Sequence, residues 1–115
     1  MIQALFAAID RKDADAFSAF LTDDCVFRFG NQPAVSGRAD VQAYVTGFFS
    51  SVQALSHRID QRWHTGDAVI CHGAVTYTRH DGSLLTVPFC NVLNLAGDLV
   101  REYLIFADTS ALYAG

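Results

Sequence analysis

Three glycines, Gly66, Gly82 and Gly97, recur at intervals of 15 or 16 residues inside "HTGD", "HDGS" and "AGDL". Each is flanked by runs of β-branched and aromatic residues, the pattern of long antiparallel strands joined by tight hairpins. The second half of the chain is therefore predicted to be a meander of four strands. The first half has a different period. Ile2, Leu5, Phe6 and Ile9 fall at i, i+3, i+4 and i+7, one apolar stripe of a helix. Asp13 can cap a second short helix carrying Phe17, Phe20 and Leu21 inward. "CVFRFG" follows as a short strand, and Val41, Tyr44, Val45, Phe48 and Val52 mark a third helix with Asp40 in its first turn. Helices followed by a meander predict an α+β domain with the helices on one face of the sheet.

At 115 residues, 51% of them hydrophobic, the chain is expected to form one domain over 1–115 with its own core. The net charge of −4 offers no field for nucleic acid or an anionic membrane surface. No apolar run reaches the ~18 residues of a membrane span, and "MIQALFAAIDRKD" has neither the basic start nor the cleavage site of a signal peptide. Cys25, Cys71 and Cys90 are odd in number and lack CxxC spacing, so they are expected to be reduced core residues of a cytoplasmic protein. The spacing of His57, His64, His72 and His80 gives no metal-binding pattern, and no metal or cofactor is expected.

Parity along the strands assigns the faces. In "LSHRIDQRW" the odd positions are Leu55, His57, Ile59, Gln61 and Trp63, while Ser56, Arg58, Asp60 and Arg62 are all polar. Three-residue loops ending in Gly66 and Gly82 keep this odd face in line with Val75 and Tyr77, then with Val87, Phe89 and Asn91. A two-residue Gly97-Asp98 turn pairs Asn91 with Leu104 and Val87 with Asp108. This register predicts an apolar wall of Trp63, Tyr77, Phe89, Leu104 and Phe106, interrupted by His57, Asn91 and Asp108. Arg58, Asp60 and His72 are expected to point away.

"LFAAIDRKDADAFSAFLTDDCVFRFG", "SGRADVQAYVTGFF", "HTGDAVICHGAVTYTRHDGSLLTVPFCNV" and "REYLIFADTSAL" together resemble the SnoaL-like branch of the nuclear transport factor 2-like superfamily. The resemblance covers nearly the whole chain. It implies a cystatin-like cone, in which a strongly curved sheet wraps a long helix around a ligand cavity, commonly in a homodimer. Polyketide cyclases, ketosteroid isomerases, epoxide hydrolases and dehydratases share that branch with non-catalytic binding domains. The recurring acid/base position at the end of the last strand matches Asp108. The front tyrosine of the isomerases has no counterpart among Phe6, Phe17 and Phe20, and "RID" at 58–60 carries an Arg-x-Asp spacing on the polar face.

Two functions therefore stand side by side. One is a cofactor-independent isomerase, cyclase or hydrolase acting on a small apolar, carbonyl-bearing molecule. Asp108 is its base, made more basic by an apolar wall, and His57 or Asn91 is its hydrogen-bond partner. The other is a binding or dimerisation module, with Asp108 capping a terminal turn and His57 a satisfied core residue. Tyr77, Tyr44, Trp63, Phe89 and Phe106 complete the expected ligand contacts. Ile70, Pro88, Cys90, Val92, Tyr103 and Ile105 are expected to form an apolar outer face that a second copy covers.

Overall fold

The computed structural model describes residues 1–113. Helices α1 (Ile2–Asp10), α2 (Ala14–Ser18) and α3 (Arg38–Ser50) pack on a six-stranded sheet formed by the described residues. The strands are β1 (Leu21–Phe29), β2 (Val35–Ser36), β3 (Ala54–Thr65), β4 (Ala68–Thr78), β5 (Leu84–Ala96) and β6 (Leu99–Phe106). A short 3-10 turn, Ser110–Tyr113, follows β6. The sheet order is β2-β1-β6-β5-β4-β3, antiparallel except where β1 runs parallel to β6. This is the expected α+β architecture.

The helices follow the apolar period. Ile2, Leu5, Phe6 and Ile9 are all buried on one side of α1. Asp13 caps α2, accepting a hydrogen bond of 3.0 Å from the Ala16 backbone N–H, which pulls its pKa down. Lys12 turns the chain between the two helices with a positive φ of 58°. Its ammonium donates to the carbonyls of Phe49 and Val52 at 3.2 and 3.0 Å, satisfying the end of α3 where the helix dipole is negative. The second helix is shorter than its apolar spacing suggested. It ends at Ser18, and Leu21 opens β1 instead. Pairing of β1 with β6 outweighs local helical period there.

The hairpins decide which side chains face the helices. The β4–β5 connection keeps the expected register: Thr78 stands opposite Leu84, the Arg79 N–H donates to the Ser83 carbonyl at 2.8 Å, and the three residues His80-Asp81-Gly82 make the turn with Gly82 at φ 86°. Val75 thus meets Val87, and Gly73 meets Phe89. The β3–β4 loop is not the expected three-residue one. Thr65 pairs with Ala68 across the two-residue turn Gly66-Asp67, and a bulge between Ile59 and Gln61 restores the register before His57. His57 stays on the inner face, while the strand beyond the bulge is turned over.

The β5–β6 turn begins as expected, with Ala96 opposite Leu99. A second bulge between Asn94 and Leu95 then shifts the pairing by one, so that Asn91 meets Ile105 rather than Leu104. A one-residue slip exchanges the two faces of a strand. Tyr103 and Ile105 accordingly point inward, against the expectation that placed them on the outer face, and Leu104 and Phe106 point out.

Gly73 lies where the backbones of β3 and β4 crowd together. A β-carbon there would stand 1.8 Å from the Arg58 carbonyl oxygen, directly across from the first bulge. The bulge and the glycine together make the corner at which β3 and β4 curl over the helices.

Candidate functional site

The concave side of this curl encloses a narrow apolar cavity of about 40 Å³. Ile9 and Phe17 line it from the first two helices, and Tyr44, Phe48 and Phe49 from α3. The sheet contributes Phe27 and Phe29 from β1, His57 from β3, Tyr77 from β4, Phe89 and Asn91 from β5, and Tyr103 and Ile105 from β6. Each sheet residue projects inward because strand alternation and the two bulges put it there.

His57 is the best-defined polar group of the wall. Its Nδ1 lies 2.6 Å from Asp10 Oδ1, and its backbone N–H donates to Asp10 Oδ2 at 3.0 Å. A carboxylate only accepts, so Nδ1 carries a proton, and in the neutral ring Nε2 presents a lone pair. Nε2 forms no hydrogen bond with the described residues. The ring side chain is 10% exposed and that of Asp10 29%. Phe6 and Phe89 flank the imidazole, with ring centroids at 4.9 and 5.2 Å.

The local sequence explains this grip. Phe6 and Asp10 are four residues apart on α1, one above the other on the same face, and both meet His57. β3 is an edge strand, so the His57 N–H has no strand partner on its outer side, and the Asp10 carboxylate takes it. Asp10 was absent from the sequence reading, which took α1 only for its apolar stripe. The i, i+4 placement of an acid beside a core phenylalanine was the available signal.

Asn91 is 2% exposed and its Oδ1 is buried without a hydrogen-bond partner. Tyr103, two residues diagonal to it on β6, is fully buried among Phe17 and Phe27. Burial drives the Tyr103 phenol far above its ordinary pKa, while the neighbouring Asn91 amide acts the other way. Burial also raises Tyr77 and Tyr44, with Tyr113 adding to both. These phenols stay protonated and can donate at neutral pH.

Of the residues expected at the site, His57, Asn91, Tyr77, Phe89 and Tyr44 line the cavity together. Three do not. Trp63 is 46% exposed on the outer face, because the bulge after Ile59 reverses β3. Phe106 is 57% exposed, because the bulge before Leu95 reverses β6. Asp108 lies beyond the end of β6 outside the cavity, and its Oδ1 accepts from the Ser110 backbone N–H at 3.0 Å. The Ser110 hydroxyl and N–H hold its carboxyl below the usual range, the reverse of a desolvated base. Of the two roles the sequence allows Asp108, the cap is the one its geometry fits.

Comparisons with known proteins follow the same lines. No curated protein matches the chain in sequence. Among solved structures, a nuclear transport factor 2-like protein of unknown function from Burkholderia pseudomallei superposes with a TM-score of 0.86. It shares 16% identity over 96% of this chain and 90% of its own. A protein of ketosteroid isomerase-like fold from Catenulispora acidiphila, in complex with trimethylamine, gives 0.84 at 14% identity, covering 91% and 82%. An LEH-like epoxide hydrolase from M. tuberculosis gives 0.81 at 16% identity, covering 95% and 80%. These likenesses are of fold. The sequence itself matches the SnoaL-like domain over residues 2–103, and the chain belongs to that family.

Proposed function

We propose that the protein binds a small, largely apolar carbonyl compound in the cavity and uses His57 as a cofactor-independent general base. The observation that carries this reading is the Asp10–His57 pair in an apolar wall, with Nδ1 committed at 2.6 Å and Nε2 free. Nε2 takes a proton from the carbon beside the carbonyl. The C–H electron pair moves into the enolate, whose oxygen accepts hydrogen bonds from the neutral phenols of the wall. The imidazolium, stabilised by Asp10, returns a proton to complete an isomerisation or exchange. The neighbour of ketosteroid isomerase-like fold is in complex with trimethylamine, a molecule of few heavy atoms, which agrees with a small ligand for a narrow cavity.

The test is deuterium uptake from heavy water into butanone, followed by NMR. The protein should accelerate exchange at the α-carbon, and His57→Gln should reduce the acceleration on the order of 10²–10⁴-fold. Asp10→Asn should lower it too, by releasing the tautomer and orientation of the ring. Equal rates for wild type and His57→Gln would reject the reading. A binding module without catalysis is the second reading, favoured by the capping role of Asp108. Under it butanone binds and no exchange is accelerated.

The protein is further proposed to act as a homodimer through its outer sheet face. The same bulges that removed Trp63 and Phe106 from the cavity place them there beside Ile70, Cys90, Val92 and Leu104.

A further inference from the structure

We infer that the ligand carries a hydroxyl group as well as its carbonyl, and that Asn91 reads that hydroxyl: the cavity is built for a small hydroxy ketone. The inference rests on the proposed function for the carbonyl and adds a second recognition point. Asn91 sits in mid-strand on the buried face, between Cys71 on β4 and Ile105 on β6. At 2% exposure its Oδ1 has no donor, although the side chain belongs to the cavity wall. A buried amide oxygen left unmet is costly, and leucine of similar size would fill the same space without that cost. The polar residue makes sense where something that enters the cavity supplies the donor.

The Tyr103 phenol neighbours the Asn91 amide, yet Oδ1 receives no hydrogen bond from it; the other groups around Asn91 offer no better donor. Cys71, opposite Asn91, is a buried thiol whose pKa is raised by burial, and a thiol is a weak donor. Phe89 and Leu93, its neighbours on the same face of β5, carry no polar atom. His57 is four positions further along β4's register, opposite Val75, and its Nδ1 proton belongs to Asp10. A ligand spanning the cavity therefore meets a base at the His57 end and an acceptor at the Asn91 end. A ketone alone has only acceptors and leaves Oδ1 unmet. A hydroxy ketone offers its O–H to Asn91 and its carbonyl to the phenols, while the hydroxyl oxygen can accept from the Asn91 amide N–H.

The probe pair is 3-hydroxybutan-2-one against butanone, titrated into the full chain and read by calorimetry or by ligand NMR. In wild type the hydroxy ketone should bind about tenfold more tightly, the worth of one well-made hydrogen bond to a buried acceptor. Asn91→Leu should abolish that preference and leave the melting temperature unchanged or higher. A structural role for Asn91 would instead lower it. His57→Gln should keep the preference while losing deuterium exchange, which separates the two readings. Equal affinity for the two probes in wild type, no binding of either, or a preference that survives Asn91→Leu, would overturn the inference. Loss of exchange chemistry alone would not.

Discussion

Asp10 and Asp108 both stand at or just past the end of an element, yet they are used in opposite ways. Asp10 closes α1 against the edge of β3 and divides its two oxygens between a backbone N–H and an imidazole. Asp108 faces solvent after β6 and holds the Ser110 N–H. Sequence distance from a greasy strand did not decide which was desolvated; the number of donors and the exposure did. Asp108→Ala should lower the melting temperature by a few degrees at most, and Asp108→Asn should restore it, since asparagine caps about as well. Neither should change butanone exchange. The sign with pH follows from its depressed folded-state pKa. The carboxylate stabilises the fold above the unfolded value of about 3.9 and loses that contribution as pH falls through the lower folded value. Thermal unfolding of wild type and Asp108→Ala should therefore differ at neutral pH and converge in strong acid. A gap that persists unchanged at low pH would show that the charge of Asp108 plays no part.

At the scale of elements, alternation and glycine spacing were enough to read four strands, the stripe of α1 and the three-residue loop at Gly82. The inner face could be read wherever pairing ran without interruption, which is why Tyr77, Phe89 and Asn91 fell where parity put them; His57 did so because the bulge after Ile59 cancels the two-residue turn at Gly66. A bulge adds one residue to one strand and leaves no mark in the hydrophobic pattern of either, so Trp63 and Phe106 were assigned to the wrong face. The last strand was the most exposed to this error, since Tyr103, Leu104, Ile105 and Phe106 are apolar on both sides. Gly73 did hold a clue, because a glycine amid Val69, Cys71, Val75 and Tyr77 marks a close backbone approach. Its prediction belongs to this scale. Gly73→Ala drives a methyl into the Arg58 carbonyl and must flatten the corner, at a cost of about 1–3 kcal/mol, as for other overpacked sites. The cavity should loosen with it, so butanone affinity should fall together with the denaturation midpoint. An alanine variant of full stability would mean that the bulge, not the glycine, sets the bend.

For the whole molecule, the two faces of the sheet meet different surroundings. The inner face is covered by three helices and carries the cavity. Among the described residues the outer face has no covering element, yet Trp63, Ile70, Val92 and Leu104 stand side by side across four strands. The adjacent row holds Cys90 and Phe106 beside Gln61 and His72. Trp63 and Phe106 are about half exposed, and Pro88 is exposed nearby. A contiguous apolar patch of this kind is more than a lone domain ordinarily leaves in water. A two-fold axis normal to the sheet would lay each copy's patch on the other's, the self-complementary contact of most small dimers. Sedimentation velocity should show a dimer at micromolar concentration. Trp63→Lys and Phe106→Lys together should give a folded monomer, because both side chains lie outside the core and each introduced ammonium would be buried unpaired in the contact. The helices and cavity do not depend on that face, so the monomer should keep its circular dichroism and its affinity for butanone. A wild-type monomer at that concentration would sink the proposal. So would a double variant that remains dimeric, since the contact would then lie elsewhere on the molecule.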